Sequence, residues 1–187
     1  MSEQLELIGA KLRHLARMAG YLAYSLEQVS QVLAQEDWSV LGPDQHESLA
    51  AFRVRYSEFQ EHLGKAMRAV AIFEEQPVER FGSVLAFMER LGVVDSADRW
   101  YELRDLRNAV NHEYEEDGDR LRELFGLMQA GVPALFRCFD ALRGFCDKAY
   151  RSNVPNAQTR AAMDEARAKM NESTPRFASG DTTGSGF

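Results

Sequence analysis

Apolar residues recur along most of the chain at alternating steps of three and four. From about position 3 to position 35 the seam is Leu5, Ile8, Leu12, Leu15, Ala19, Leu22, Leu26, Val29 and Leu33, without a break. That spacing keeps one stripe of a helix turned toward a partner lying nearly parallel or antiparallel to it. Leu41-Gly42-Pro43 ends the run. Asp44 followed by Glu47 resembles an N-terminal capping box with an acid in place of the usual hydroxyl. A second seam then reaches about position 75 through Leu49, Phe52, Tyr56, Phe59, Leu63, Ala66, Val70 and Phe73. Two seams of matching period and similar length, joined by a short break, predict an antiparallel helix pair.

The remaining pattern predicts three further helices. Pro77 suits the first turn of a short one, striped by Phe81, Val84, Leu85, Met88 and Leu91, with Gly92 as its C-terminal cap. Asp95 or Ser96 caps a fourth, which carries Trp100, Leu103, Leu106 and Val110 on its apolar side. The acidic run from Glu115 to Asp119 reads as a solvated turn and the start of a fifth helix. This last helix, to about Arg151, has the widest apolar face, including Leu124, Phe125, Met128, Leu135, Phe139 and Leu142. Gly131 and Pro133 predict a kink in its first half. The expected fold is therefore all-α: an up-and-down antiparallel bundle of four to five helices over residues 1–152. Residues 153–187 are expected to be a weakly structured or disordered tail. A short helix over Ala157 to Met170 would have no clear seam, and the rest is rich in Gly, Ser and Thr.

Composition narrows the function classes. At 187 residues and 45% hydrophobic, the chain supports one sizeable core. Its net charge is −7. Proteins that coat themselves on phosphate are usually basic, so any nucleic-acid activity must come from a local positive cleft. Cys138 and Cys146 lie eight residues apart in one predicted helix, about 12 Å along its axis, too far for a disulfide within one chain. Buried reduced thiols and the lack of a secretory leader pattern predict the cytoplasm. No apolar run is long enough to span a bilayer.

One stretch breaks the amphipathic monotony. From Arg104 to Tyr114 (RDLRNAVNHEY) two guanidiniums, two amides, an imidazole and a phenol crowd together. On a helix, Arg104, Asn108 and His112 share a face at steps of four. Arg107 is one residue, about 100°, round from Asn108, and its long stem can bring the guanidinium over the imidazole. A fixed cation then stands beside a group that exchanges a proton near neutral pH. The plainer alternative pairs Arg107 with Glu102, Asp105 or Glu113, leaves His112 as a surface or capping residue, and packs the ring of Tyr114.

Arg107-Asn108, three residues, then His112-Glu113-Tyr114 resembles the Arg-x-x-x-x-His-x-Tyr signature of the HEPN superfamily, in its HepT-like toxin branch. Glu102 to Leu106, before the motif, and Phe52 to Lys65, similar to the family's second-helix segment, extend the likeness over about Leu5 to Tyr150. The resemblance implies a helical homodimer in which the motifs of two protomers face one cleft. It implies a metal-independent ribonuclease toxin acting on RNA, with a nucleotidyltransferase antitoxin that transfers AMP to Tyr114. Non-catalytic relatives that serve as partner or substrate-binding modules of nucleotidyltransferases are the alternative.

The residue chemistry suits the first implication. RNA cleaves when its 2′-hydroxyl attacks the neighbouring phosphate, which needs a base, an acid and a positive group at the phosphorane. Imidazole serves as base or acid, and a guanidinium binds two oxygens and stabilises the extra charge. The expected catalytic residues are Arg107 and His112. Asn108 is expected to orient the imidazole or the phosphate, and Arg104 to contact substrate. The acids Glu113, Glu115 and Glu116 lack metal-ligand spacing, so no metal or cofactor is expected. His14, His46 and His62 receive no role. Tyr56, Phe59 and Trp100 are expected in the core, and Arg53 and Arg55 at a solvated or dimer-rim surface.

Overall fold

The computed structural model describes residues 3–112 and 118–151; the side chains of Ser39, Asn111, His112 and Arg151 lie outside that description. The described residues form five helices and no strand: α1 (Glu3–Leu33), α2 (Pro43–Phe73), α3 (Phe81–Arg90), α4 (Ala97–His112) and α5 (Gly118–Arg151), with a 3₁₀ turn at Trp38–Val40 between the first two. Contacts divide the chain into two units, Met1–Tyr150 and Arg151–Phe187. The bundle is the first. The expected short helix over Ala157 to Met170 and the tail beyond it lie outside the described residues.

Side-chain pairings give the direction of each helix. His14 meets His62, ring centroids 4.9 Å apart, and Arg55 donates to the Tyr21 carbonyl and to the Ser25 hydroxyl, so α1 and α2 run antiparallel. Phe52 packs on Phe125, Phe59 on Phe136 and Phe73 on Tyr150, so α2 and α5 run the same way across the bundle. Gln129 donates to Ser30 and Arg122 to the Leu33 carbonyl, which sets α1 against α5 antiparallel. Arg137 reaches Asp95 while Leu103 approaches Gly131, so α4 opposes α5. The long helices thus go up, down, up, down, and α3 is the short link before the third. This is the architecture predicted from the seams.

The seams differ in depth. On α1, Ile8, Leu15, Leu22 and Val29 are buried, one per heptad, while Leu5, Leu12, Ala19, Leu26 and Leu33 are half-buried. On α2 the whole run from Leu49 to Val70 is buried, and a second stripe, Gln60, Gly64, Met67 and Ala71, is buried beside it. Each member of that second stripe follows a seam residue by one position, a step of about 100° round the helix. α2 is therefore enclosed on two sides and forms the centre of the bundle.

Helix ends match the expectations in part. Ser96 caps α4: its hydroxyl accepts the Arg99 amide at 3.1 Å. Gly92 has φ +69° just past α3, the Gly92 amide donates to Glu89 and the Val93 amide to Met88, which is a Schellman closure. Two expectations are corrected. The N-cap of α2 is Gly42, not Asp44; Pro43 occupies the first helical position and the Gln45 side chain accepts the Gly42 amide. α3 begins at Phe81 after Arg80, so Pro77 lies in the connection rather than in the first turn. α5 runs through Gly131 and Pro133 as one helix. Pro133 is exposed, and Gly131 serves a packing need described below.

Candidate functional site

α4 sits low on the bundle because two glycines let it. A Cβ on Gly131 of α5 would stand 2.7 Å from Leu103 Cδ2 and 3.0 Å from the Tyr56 hydroxyl. A Cβ on Gly64 of α2 would stand 3.3 Å from the tip of the Phe81 ring and 3.5 Å from Trp100. Leu103 thus descends onto one glycine and Trp100 onto the other. The close approach brings the next turn of α4, with Arg104 and Arg107, over the exposed shoulder of α2.

The two helices enclose a groove of about 340 Å³. Its floor is Gly64 with the apolar walls of Phe81 and Trp100, whose ring centroids are 6.0 Å apart. Lys65 and Arg68 line it from α2, and Arg104 and Arg107 from α4. Glu61 is the one carboxylate of the lining among the described residues, and it is held by Lys65 at 2.6 Å, which draws its carboxyl below the ordinary range. Among the described residues, four cations against one acid make this a positive cleft in a chain of net charge −7. Arg68 lies over the Phe81 ring at 5.8 Å, and Arg104 over Tyr101 at 5.2 Å. The rings hold the guanidinium planes while leaving their N–H groups for an anion.

The sequence-predicted residues fall into two groups. Arg104 and Arg107 meet at the groove. Arg104 is exposed, with its Nε 4.0 Å from Asp105, a weak pairing that leaves the cation available. Arg107 is half-buried, and its Nε and Nη2 donate to Asn108 Oδ1 at 3.3 and 3.1 Å. Among the described residues Asn108 therefore positions the guanidinium of Arg107. His112 is the last residue of α4 by its backbone, one turn beyond Asn108, and its side chain lies outside the described residues. Tyr114 lies outside them altogether.

Sequence reasoning missed the α2 half of the site. Lys65 and Arg68 occur at helical spacing after Glu61, a signal visible in the sequence but indistinguishable from a solvated face. Gln60 is more informative. It is 1% exposed, lines the groove, and both atoms of its amide lack a hydrogen-bond partner. The Tyr56 hydroxyl one turn back and the Ser57 hydroxyl are buried and unpaired as well. Burial holds the Tyr56 phenol well above its usual pKa, an effect that the nearby Arg99 and Arg107 only partly oppose. Tyr56, Phe59 and Trp100 are core, as expected. Arg55 departs from the expected solvated or dimer-rim place: it is half-buried, donates to Tyr21 and Ser25 of α1 and lies over the exposed rings of Tyr21 and Tyr24. The two cysteines are buried and free. No described helix is long and apolar enough to cross a membrane.

Neither a family model, nor a curated protein, nor a solved structure matches this chain, so the site stands on its own geometry.

Proposed function

We propose that the protein is a metal-independent RNA endonuclease, a toxin of the HEPN, HepT-like kind, acting as a homodimer. A nucleotidyltransferase antitoxin neutralises it by transferring AMP to Tyr114. The observation that carries this reading is the convergence of Lys65, Arg68, Arg104 and Arg107 on one groove of an acidic chain. A cleft of that sign raises the local concentration of a polyanion while the rest of the surface repels it.

In this reading Arg107, its fork steadied by Asn108, binds the scissile phosphate and stabilises the added negative charge of the phosphorane. His112 of one protomer takes the 2′-hydroxyl proton as that oxygen attacks phosphorus. His112 of the second protomer gives a proton to the departing 5′-oxygen. The bond to the 5′-oxygen breaks as the new P–O bond forms, leaving a 2′,3′-cyclic phosphate and a free 5′-hydroxyl. Arg104 contacts a neighbouring phosphate. AMP on Tyr114, two residues from His112, adds negative charge and bulk where RNA must enter.

The test is cleavage of RNA by purified, unmodified protein with EDTA present, with the product ends identified. His112→Ala is expected to abolish cleavage and Arg107→Ala to reduce it by about 100-fold or more, each with the helical circular dichroism of the parent. Full activity in His112→Ala would remove the assigned chemistry. Tight association with a nucleotidyltransferase and no cleavage by any preparation would replace it with the non-catalytic partner role.

A further inference from the structure

The interior of a helical bundle rarely keeps an amide with neither end bonded, because burying such a group loses its water without replacement. Among the described residues five buried side-chain atoms lack partners, and four of them belong to Tyr56, Ser57 and Gln60, within two turns of α2. Gln60 is the one of these three that lines the groove. Its amide carries a donor and an acceptor in one plane. Beside it are the rings of Phe81 and Trp100, packed down onto Gly64, which also lines the groove. The cations stand around this apolar interior.

Those three chemistries belong together in one kind of ligand. A nucleobase has a flat apolar face and an edge of donors and acceptors, and it is joined to phosphates on either side. Single-stranded RNA is read by unstacked bases placed against aromatic side chains with their edges hydrogen-bonded. A glutamine amide is among the groups that pair with such an edge through two hydrogen bonds. The volume of the groove is in the range of small-ligand sites.

We propose that the groove between α2 and α4 is a base pocket for one unstacked nucleotide of an RNA strand. Gln60 is its specificity-determining residue, and Lys65, Arg68, Arg104 and Arg107 hold the adjoining phosphates. The proposal rests on RNA being the substrate and adds that the enzyme selects a base beside the cut.

The experiment measures binding of short 2′-fluoro RNA strands, which lack the attacking hydroxyl, to the full chain. Four strands differ in one central base, a fifth is abasic there, and free nucleoside monophosphates form a separate arm. One base is expected to exceed the abasic strand by about tenfold, as a two-hydrogen-bond contact implies. Gln60→Met should reduce that ratio to near one while leaving the abasic strand's affinity unchanged. Arg68→Gln, an exposed substitution, should weaken every strand alike and leave the ratio intact. Monophosphates should bind far more weakly than the strands, since each brings one phosphate to four cations. If base-bearing and abasic strands bind equally, or if Gln60→Met keeps the preference, the base pocket is overturned and the RNA reading stands. If monophosphates bind as tightly as strands, the site is one for free nucleotides and the strand assignment is overturned. If no strand binds, both readings fall.

Discussion

Phe59 and Gln60 are adjacent in the chain, on one helix, and both are buried, yet they face two kinds of interior. Phe59 points into the dry seam, edge-on to Phe136 and Phe139 at centroid distances of 5.6 and 6.0 Å. Gln60 turns about 100° away, toward α4, where a full amide is buried unbonded beneath four cations. On the first side the pattern is apolar apart from the Tyr56 hydroxyl, and stability is its consequence. On the second the pattern is broken by an amide, a glycine and basic residues, the kind of local inconsistency that a fold tolerates at functional sites.

Substitutions on the two sides should therefore differ in sign. Phe59→Ala removes a fully buried ring and is expected to cost about 3–5 kcal/mol, read from urea denaturation. A loss under about 1 kcal/mol would mean that the seam is not the principal core.

Alkali probes the dry side next. Burial pushes the Cys138 thiol up to about 11 and the Cys146 thiol up to about 12, and it raises the Tyr56 and Tyr150 phenols as well. For Tyr150 the hydrogen bond it donates to Glu74 at 2.8 Å adds to the effect. Each of these groups ionises more readily once unfolded. Their stabilisation is thus complete below about pH 9, the pKa of an unfolded thiol, and is lost as the pH rises toward the folded values. Cys138 alone is expected to account for on the order of 2 kcal/mol between pH 9 and 11. Thermal unfolding followed across that range should show a steady fall, and thiol reagents at pH 8 should label neither cysteine until the protein is denatured. A flat profile would show water reaching the seam.

The same operation on the polar side should stabilise. Gln60→Met keeps the volume and removes two unbonded buried atoms, so the ligand-free protein is expected to gain about 1 kcal/mol. A loss of stability instead would mean that the amide is bonded within the fold and is no vacant reader.

The smallest effect lies where α2 ends. Glu75 has φ +53°, in a Schellman closure in which the Gln76 amide donates to Ala71 and the Glu75 amide to Ile72. A left-handed residue with a side chain costs about 1–2 kcal/mol, and glycine's greater freedom when unfolded offsets part of that. Glu75→Gly should therefore raise stability by about 0.5–1 kcal/mol without altering either face. A change in RNA affinity in this variant would show that the end of α2 transmits strain to the groove.

The contrast also separates what could be read early from what could not. An unbroken three-four alternation in α1 and α2 compels an elongated pair, because only that spacing keeps one stripe facing a neighbour over thirty residues. Ser96 and Gly92 could be read as caps because a hydroxyl at an N-terminus and a glycine past a C-terminus each meet a local need. Pro77 and the Asp44–Glu47 pair misled because local signals compete: Gly42-Pro43 with Gln45 made the better start, and α3 began later. Arg104, Arg107 and Asn108 stood out by density of function, and two of them line the groove. Lys65 and Arg68 did not, since a basic residue on a helix flank has the same appearance whether it meets water or a partner helix.

By itself, then, the amino-acid sequence determined the helices, their antiparallel run and the short stretch that holds the motif, because all three follow from periodicity and near-neighbour chemistry. Only the tertiary structure decided that α4 would settle onto Gly64 and Gly131 and turn two distant basic pairs into one cleft over Gln60. That outcome depends on close approach between segments dozens of residues apart, and the missing side chains that permit it carry no periodic signal.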